Sequence, residues 1–117
     1  MPTLRELTDA IRSRPGVQEA VILGDDGLVI ETHGSMQSQA ESLAARVPAF
    51  AVAARQLGQA ADAGDTQLAL LEFERGYGVV LSLSSQAMLF VAASREVNLS
   101  DLLFDLRRHR SAMAALV

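Results

Sequence analysis

The chain has 117 residues, half of them hydrophobic and only 4% aromatic, so a single domain with an aliphatic core is expected and a largely disordered chain is excluded. The formal net charge is −4 and every basic residue is Arg, which supplies no basic field for nucleic acid. The absence of Lys and Cys further excludes Walker-type phosphate loops, Schiff-base chemistry, disulfides and thiolate-bound metals.

The first segment, from Leu4, carries Leu4, Leu7 and Ile11 at helical spacing, and Pro15-Gly16 stops it. Two strand-like runs follow, Val17 to Leu23 and Leu28 to Thr32, with Gly24-Asp25-Asp26-Gly27 between them. An Asp-Gly pair between β-rich runs signals a hairpin. Leu28 and Ile30 are expected on one face of the second strand, Val29 and Glu31 on the other, with His33-Gly34 ending it.

Ser38 to Ala63 reads as one long helix. Ser38 and Glu41 have capping-box spacing, and Ala63-Gly64 marks the end. Leu43, Val47, Phe50, Ala54, Leu57 and Ala61 form its core stripe, and Pro48 predicts a kink near Ala44 to Pro48. Three more strands are predicted over Thr66–Glu74, Tyr77–Ser84 and Ala87–Ala93, with turns at Arg75-Gly76 and Ser84-Ser85-Gln86. Asn98 caps a last helix with Leu99, Leu102, Leu103 and Leu106 inward. Arg107, Arg108, His109 and Arg110 load its later turns with the charge that suits a helix C-terminus. The order α-β-β-α-β-β-β-α gives an α+β sandwich, a five-stranded antiparallel sheet with helices on its faces, in one domain over residues 1–117.

No catalytic constellation emerges. His33 sits at a strand end and His109 in an Arg cluster. Asp25-Asp26-Gly27 lacks the other ligands of a calcium loop, and a turn explains it. Ser82, Ser84 and Ser85 lie in no nucleophile elbow. Glu72 and Glu74 alternate onto one strand face and read as a solvated face or a guarded edge, and Gly76 and Gly78 precede no helix that could hold phosphate. No cofactor or metal is expected, and the chain reads as non-enzymatic. With no apolar signal core in its first residues and no run of roughly 18 apolar residues, it reads as a cytoplasmic domain without direct membrane insertion.

The long helix is apolar on a second side. Ala45, Ala49, Val52, Ala53 and Ala60 project about half a turn from the core stripe, and ten alanines lie between Ser38 and Gly64. A helix apolar on two sides is covered on two sides, and a symmetric dimer covers such a patch. The apolar run Leu68-Ala69-Leu70-Leu71 asks for cover in the same way.

Pro15-Gly16-Val17, Ala20-Val21-Ile22-Leu23, Asp26-Gly27-Leu28-Val29-Ile30, the Ala-rich helix, the three-strand meander and Val97-Asn98-Leu99 together resemble the roadblock family of dynein-light-chain-like domains. That family includes bacterial partners of Ras-like GTPases. The resemblance implies a homodimer, or a heterodimer with a related chain, joined through the second helix and third strand. The interface set is then Ala45, Arg46, Ala49, Val52, Ala53, Gln56, Ala60, Leu68, Leu70 and Glu72. It also implies a regulator that binds a small Ras-like GTPase on the paired helices through Arg46, Ala49, Ala53, Gln56 and Ala60. The alternative is a structural adaptor or scaffold subunit whose binding ignores nucleotide.

Overall fold

A computed structural model describes residues 1–117, all but the side chain of Gln37. The elements are α1 (Leu4–Arg12), β1 (Val17–Gly24), β2 (Val29–Gly34), a 3-10 turn (Gln37–Gln39), α2 (Ala40–Ala60), β3 (Leu68–Phe73), β4 (Gly76–Ser82), β5 (Ala87–Ser94) and α3 (Leu99–Ala114). The five strands form one antiparallel sheet in the order β2-β1-β5-β4-β3, which leaves β2 and β3 at the edges.

Strand alternation divides the core in two. Ala20, Ile22, Val79, Leu81, Leu89 and Val91 face α1 and α3, meeting Leu7, Ile11, Leu102, Leu106 and Met113. Val21, Leu23, Val80, Met88 and Phe90 face α2, meeting Ala40, Ala44 and Val47. α1 opens on a capping box: the Thr3 hydroxyl accepts from the Glu6 amide at 3.1 Å, and Glu6 Oε1 accepts from the Thr3 amide at 3.1 Å. At α3 the Asn98 side chain accepts from the Asp101 amide at 3.1 Å, as its cap position predicts.

The structure corrects several expectations. Ser38 caps nothing: residues 37–39 form the 3-10 turn, and α2 starts behind Gln39 without a side-chain cap bond. A short turn that already hydrogen-bonds Gln39 N–H to the Met36 carbonyl takes the place of the box. α2, with Pro48 inside it, ends at Ala60 rather than Ala63. Its terminator is Asp62 in the left-handed region (φ 57°), with Ala63 N–H on the Gly58 carbonyl and Asp62 N–H on the Gln59 carbonyl. That pair of bonds is a Schellman closure. The returning chain passes so close to Gly58 that a Cβ there would lie 2.4 Å from the Gly64 carbonyl oxygen.

β2 extends to Gly34 and carries a register shift: Glu31 opposes Ile22 while Val29 opposes Leu23. The extra residue puts Val29 with the α2 side and Glu31 with the α1 side, so the two do not share a face. Glu74 lies in the turn after β3, not on a strand face beside Glu72. α3 continues to Ala114, so Arg107, Arg108 and Arg110 stand in mid-helix rather than at its C-terminus, and the macrodipole does not account for them.

Candidate interaction surface

Several of the candidate polar groups are committed to structure. His33 Nε2 lies 3.0 Å from Glu31 Oε1, off line for a hydrogen bond, and Nδ1 lies 3.9 Å from Asp9 Oδ1. The trio ties β2 to α1. His109 Nδ1 meets the Asp105 carbonyl at 2.9 Å within its own helix. Asp26 Oδ1 accepts from the Leu28 amide at 3.0 Å and Ser84 Oγ from the Gln86 amide at 3.1 Å, both inside turns. Among the described residues no group of three or more His, Cys, Asp or Glu converges to hold a metal ion.

The buried carboxylate of Glu19 also has a structural task. Its Oε2 accepts from the Thr32 hydroxyl at 2.5 Å and its Oε1 from the Met36 amide at 2.8 Å. Ser35 adds bonds from its amide and hydroxyl to the Gln18 carbonyl at 2.9 and 3.2 Å. Gly34, at φ 146°, makes this approach possible, since a Cβ would sit 2.3 Å from that same carbonyl. β1 thereby grips the segment that leads into α2.

α2 rests on the sheet through Ala40, Ala44 and Val47, with Leu43, Phe50 and Ala51 partly covered. Its other side is bare. Ala45, Arg46, Ala49, Ala53, Gln56 and Ala60 are exposed, and Val52 retains 46% of its accessible surface. Leu57, assigned by periodicity to the core stripe, is 71% exposed, because the second half of α2 overhangs the sheet. The seven α2 positions of the predicted interface therefore form one continuous uncovered face.

The β3 positions lie elsewhere. Leu68 belongs to the core beneath α3, and alternation puts Leu70 and Glu72 on that same face, opposite α2. They nevertheless share the free edge. The Ser82 amide bonds the Gln67 carbonyl, so alternate residues from Gln67 turn their backbone groups toward β4. The backbone groups of Leu68, Leu70 and Glu72 then point outward.

Sequence reasoning missed the β3 side chains that do lie on the α2 side, Leu71 and Phe73. Phe73 is 52% exposed and, with Leu43, Phe90 and Ala92, lines a groove of about 400 Å³ beside α2. A second groove of about 510 Å³ lies at the other end of the same strip, between Phe50, Ala54 and Arg55 of α2 and Ala69, Val80 and Met88 of the sheet. Strand alternation carried one residue past Leu70 would have found Leu71 and Phe73. Among the described residues, no helix is long and apolar enough to cross a membrane.

A sequence profile of the Roadblock/LC7 domain matches residues 3–93. The chain belongs to the Roadblock/LC7 domain family. Solved structures agree on the roadblock fold. The Roadblock/LC7 domain from Streptomyces avermitilis is 25% identical with a TM-score of 0.86, each chain covered over 97%. MglB of Myxococcus xanthus is 13% identical with a TM-score of 0.88, covering 97% of this chain and 93% of its own. The gliding protein MglB from Thermus thermophilus is 18% identical with a TM-score of 0.85, covering 95% and 85%. No curated protein matches the chain at a significant level. As a roadblock domain, the chain has α2 and all of its five-stranded sheet but Ser94 within the matched region, while α3 lies beyond it.

Proposed function

We propose that this roadblock domain is a non-enzymatic regulator that pairs with a second copy, or with a related chain, and presents the paired second helices to a small Ras-like GTPase. The observation that carries the reading is the uncovered face of α2, Ala45 to Ala60, on a helix whose first half is already packed on the sheet by its opposite side. Small side chains let two such helices approach closely. The free β3 edge supports the same partner: only registers that set Leu68, Leu70 and Glu72 against one another bring outward donors to outward acceptors. A register with Glu72 opposite Glu72 is disfavoured by like charge. The GTPase as partner follows from the family resemblance, and the fold shared with MglB supports it.

The test has two parts. Solution mass should show a dimer for the native chain and a monomer for Ala53→Arg, with the circular dichroism spectrum unchanged. Capture from source-cell lysate, with a non-hydrolysable GTP analogue or with GDP, should retain a small GTPase in one nucleotide state only. A dimer that captures the same proteins in both states, with no GTPase among them, would turn the reading to a passive adaptor. A monomeric native chain would refute the pairing.

A further inference from the structure

The outward face of α3 is not explained by pairing through α2 and β3, since α3 lies on the opposite side of the sheet. Leu102, Leu106 and Met113 bury its inner face. Phe104 stands about half a turn away and is 65% exposed. Arg107 and Arg108 follow it at i+3 and i+4, one on each side of the ring, with exposed Ser100 and Ser111 continuing the stripe. Arg108 holds its guanidinium 5.7 Å from the Phe104 ring centroid and forms an ion pair with Asp105 Oδ1 at 3.1 Å. Asp105 is also claimed by Arg14, so it has little left to offer a third cation. Among the described residues Arg107 has no acidic partner.

We propose that this face docks an acidic helical segment of a partner protein, one apolar side chain packing on Phe104 and carboxylates meeting Arg107 and Arg108. Aromatic and Arg side chains are the residues that dominate interface energies. The stripe is three turns long, which suits a helix laid alongside. Charge selects an acidic protein segment over an anionic bilayer: the whole chain is net −4 and is repelled at long range by an anionic surface, while a folded or folding segment reads only the local basic stripe.

The probe is a displayed random peptide library of about 16 residues, four helical turns, selected on the native chain, with the consensus peptide then titrated. The expected consensus carries two or more Asp or Glu around a large apolar residue. Its affinity should fall about tenfold for Phe104→Ala and for Arg107→Glu, and should weaken with added salt. Ala53→Arg on the other side of the sheet should bind it normally, which separates this test from that of the pairing. Peptides without acidic bias, or equal binding to Phe104→Ala and Arg107→Glu, would overturn the proposal. So would an absence of selected peptides together with Phe104- and Arg107-dependent binding to phosphatidylcholine vesicles containing phosphatidylserine, which would assign the face to lipid.

Discussion

Arg95 fastens Glu72. From the turn after β5 it passes over the Tyr77 ring, 5.4 Å from the centroid, and donates to Glu72 Oε2 at 3.1 Å and to the Phe73 carbonyl at 2.9 Å. A residue two strands away thereby holds the C-terminal end of edge strand β3 in place. Both side chains are largely open to water, so the ion pair itself contributes little, under about 1 kcal/mol. Its effect is local. Arg95→Ala should leave thermal stability nearly unchanged while accelerating hydrogen exchange at the Leu71 and Phe73 amides relative to Val79 and Val80. Unchanged exchange at the strand end would deny Arg95 this role.

Gly58 should resist a substitution that helix propensity favours. Alanine in a helix interior is better than glycine by about 1 kcal/mol. Here its methyl would meet the Gly64 carbonyl, a backbone atom that moves only if the Schellman turn opens. Gly58→Ala is expected to destabilise by about 1–3 kcal/mol in urea denaturation. A stabilised variant would show that the return after α2 is free to shift.

Glu19 offers a graded pair. Glu19→Ala leaves the Met36 amide and Thr32 hydroxyl without their acceptor in a closed site, a loss of about 2–4 kcal/mol. Glu19→Gln retains one carbonyl oxygen, and the Thr32 hydroxyl can turn to accept, so about half that loss is expected. The check is denaturant unfolding of both variants beside the native chain. A Glu19→Gln variant as stable as the native chain would mean that volume, not hydrogen bonding, sets the site.

Glu96, in the turn between β5 and α3, is held below the usual carboxylate range, first by a hydrogen bond from the Ser94 hydroxyl and second by its own backbone amide. A lowered carboxylate supports the fold above its unfolded-state pKa, and that support is lost as pH falls through the folded value. Ser94→Ala should move the Glu96 titration upward toward the ordinary range in a carbon-detected NMR titration. A midpoint that stays put would remove Ser94 as the cause.

The parts of the fold legible in the sequence are those written in local chemistry. The Asp-Gly turn, the Asn98 cap and the two-sided apolar pattern of α2 each depend on neighbours within one or two turns of chain. The parts that escaped depend on distant partners. The shift at Ile30 that separates Val29 from Glu31 arises from pairing with Ile22 and Leu23. α2 stops at Ala60 because Asp62 takes a left-handed turn that Gly64 was better suited to take. Arg107, Arg108 and Arg110 looked like the end of a helix because no Gly or Pro announces where α3 stops; it runs on to Ala114 with Met113 buried. Arg110 in fact reaches the sheet, donating to the Ser82 carbonyl at 2.6 Å and to Gln67 at 2.5 Å. Of the candidate surface, the α2 face was readable. Phe73 was passed over, although alternation along β3 places it with Leu71 on the α2 side.

The strand order has a kinetic price. The two halves of the sheet meet only at β1 and β5, whose partners lie between 63 and 76 residues apart along the chain. Both hairpins and α2 can form from nearby residues, but the seam between them closes a long loop, which slows folding relative to local pairings. A nascent chain emerging from the ribosome must hold Val17–Gly24 with one flank bare until Ala87–Ser94 has been made. During that interval β1, the most thoroughly buried strand of the finished sheet, is an open edge, and aggregation before release is the hazard that the completed seam removes.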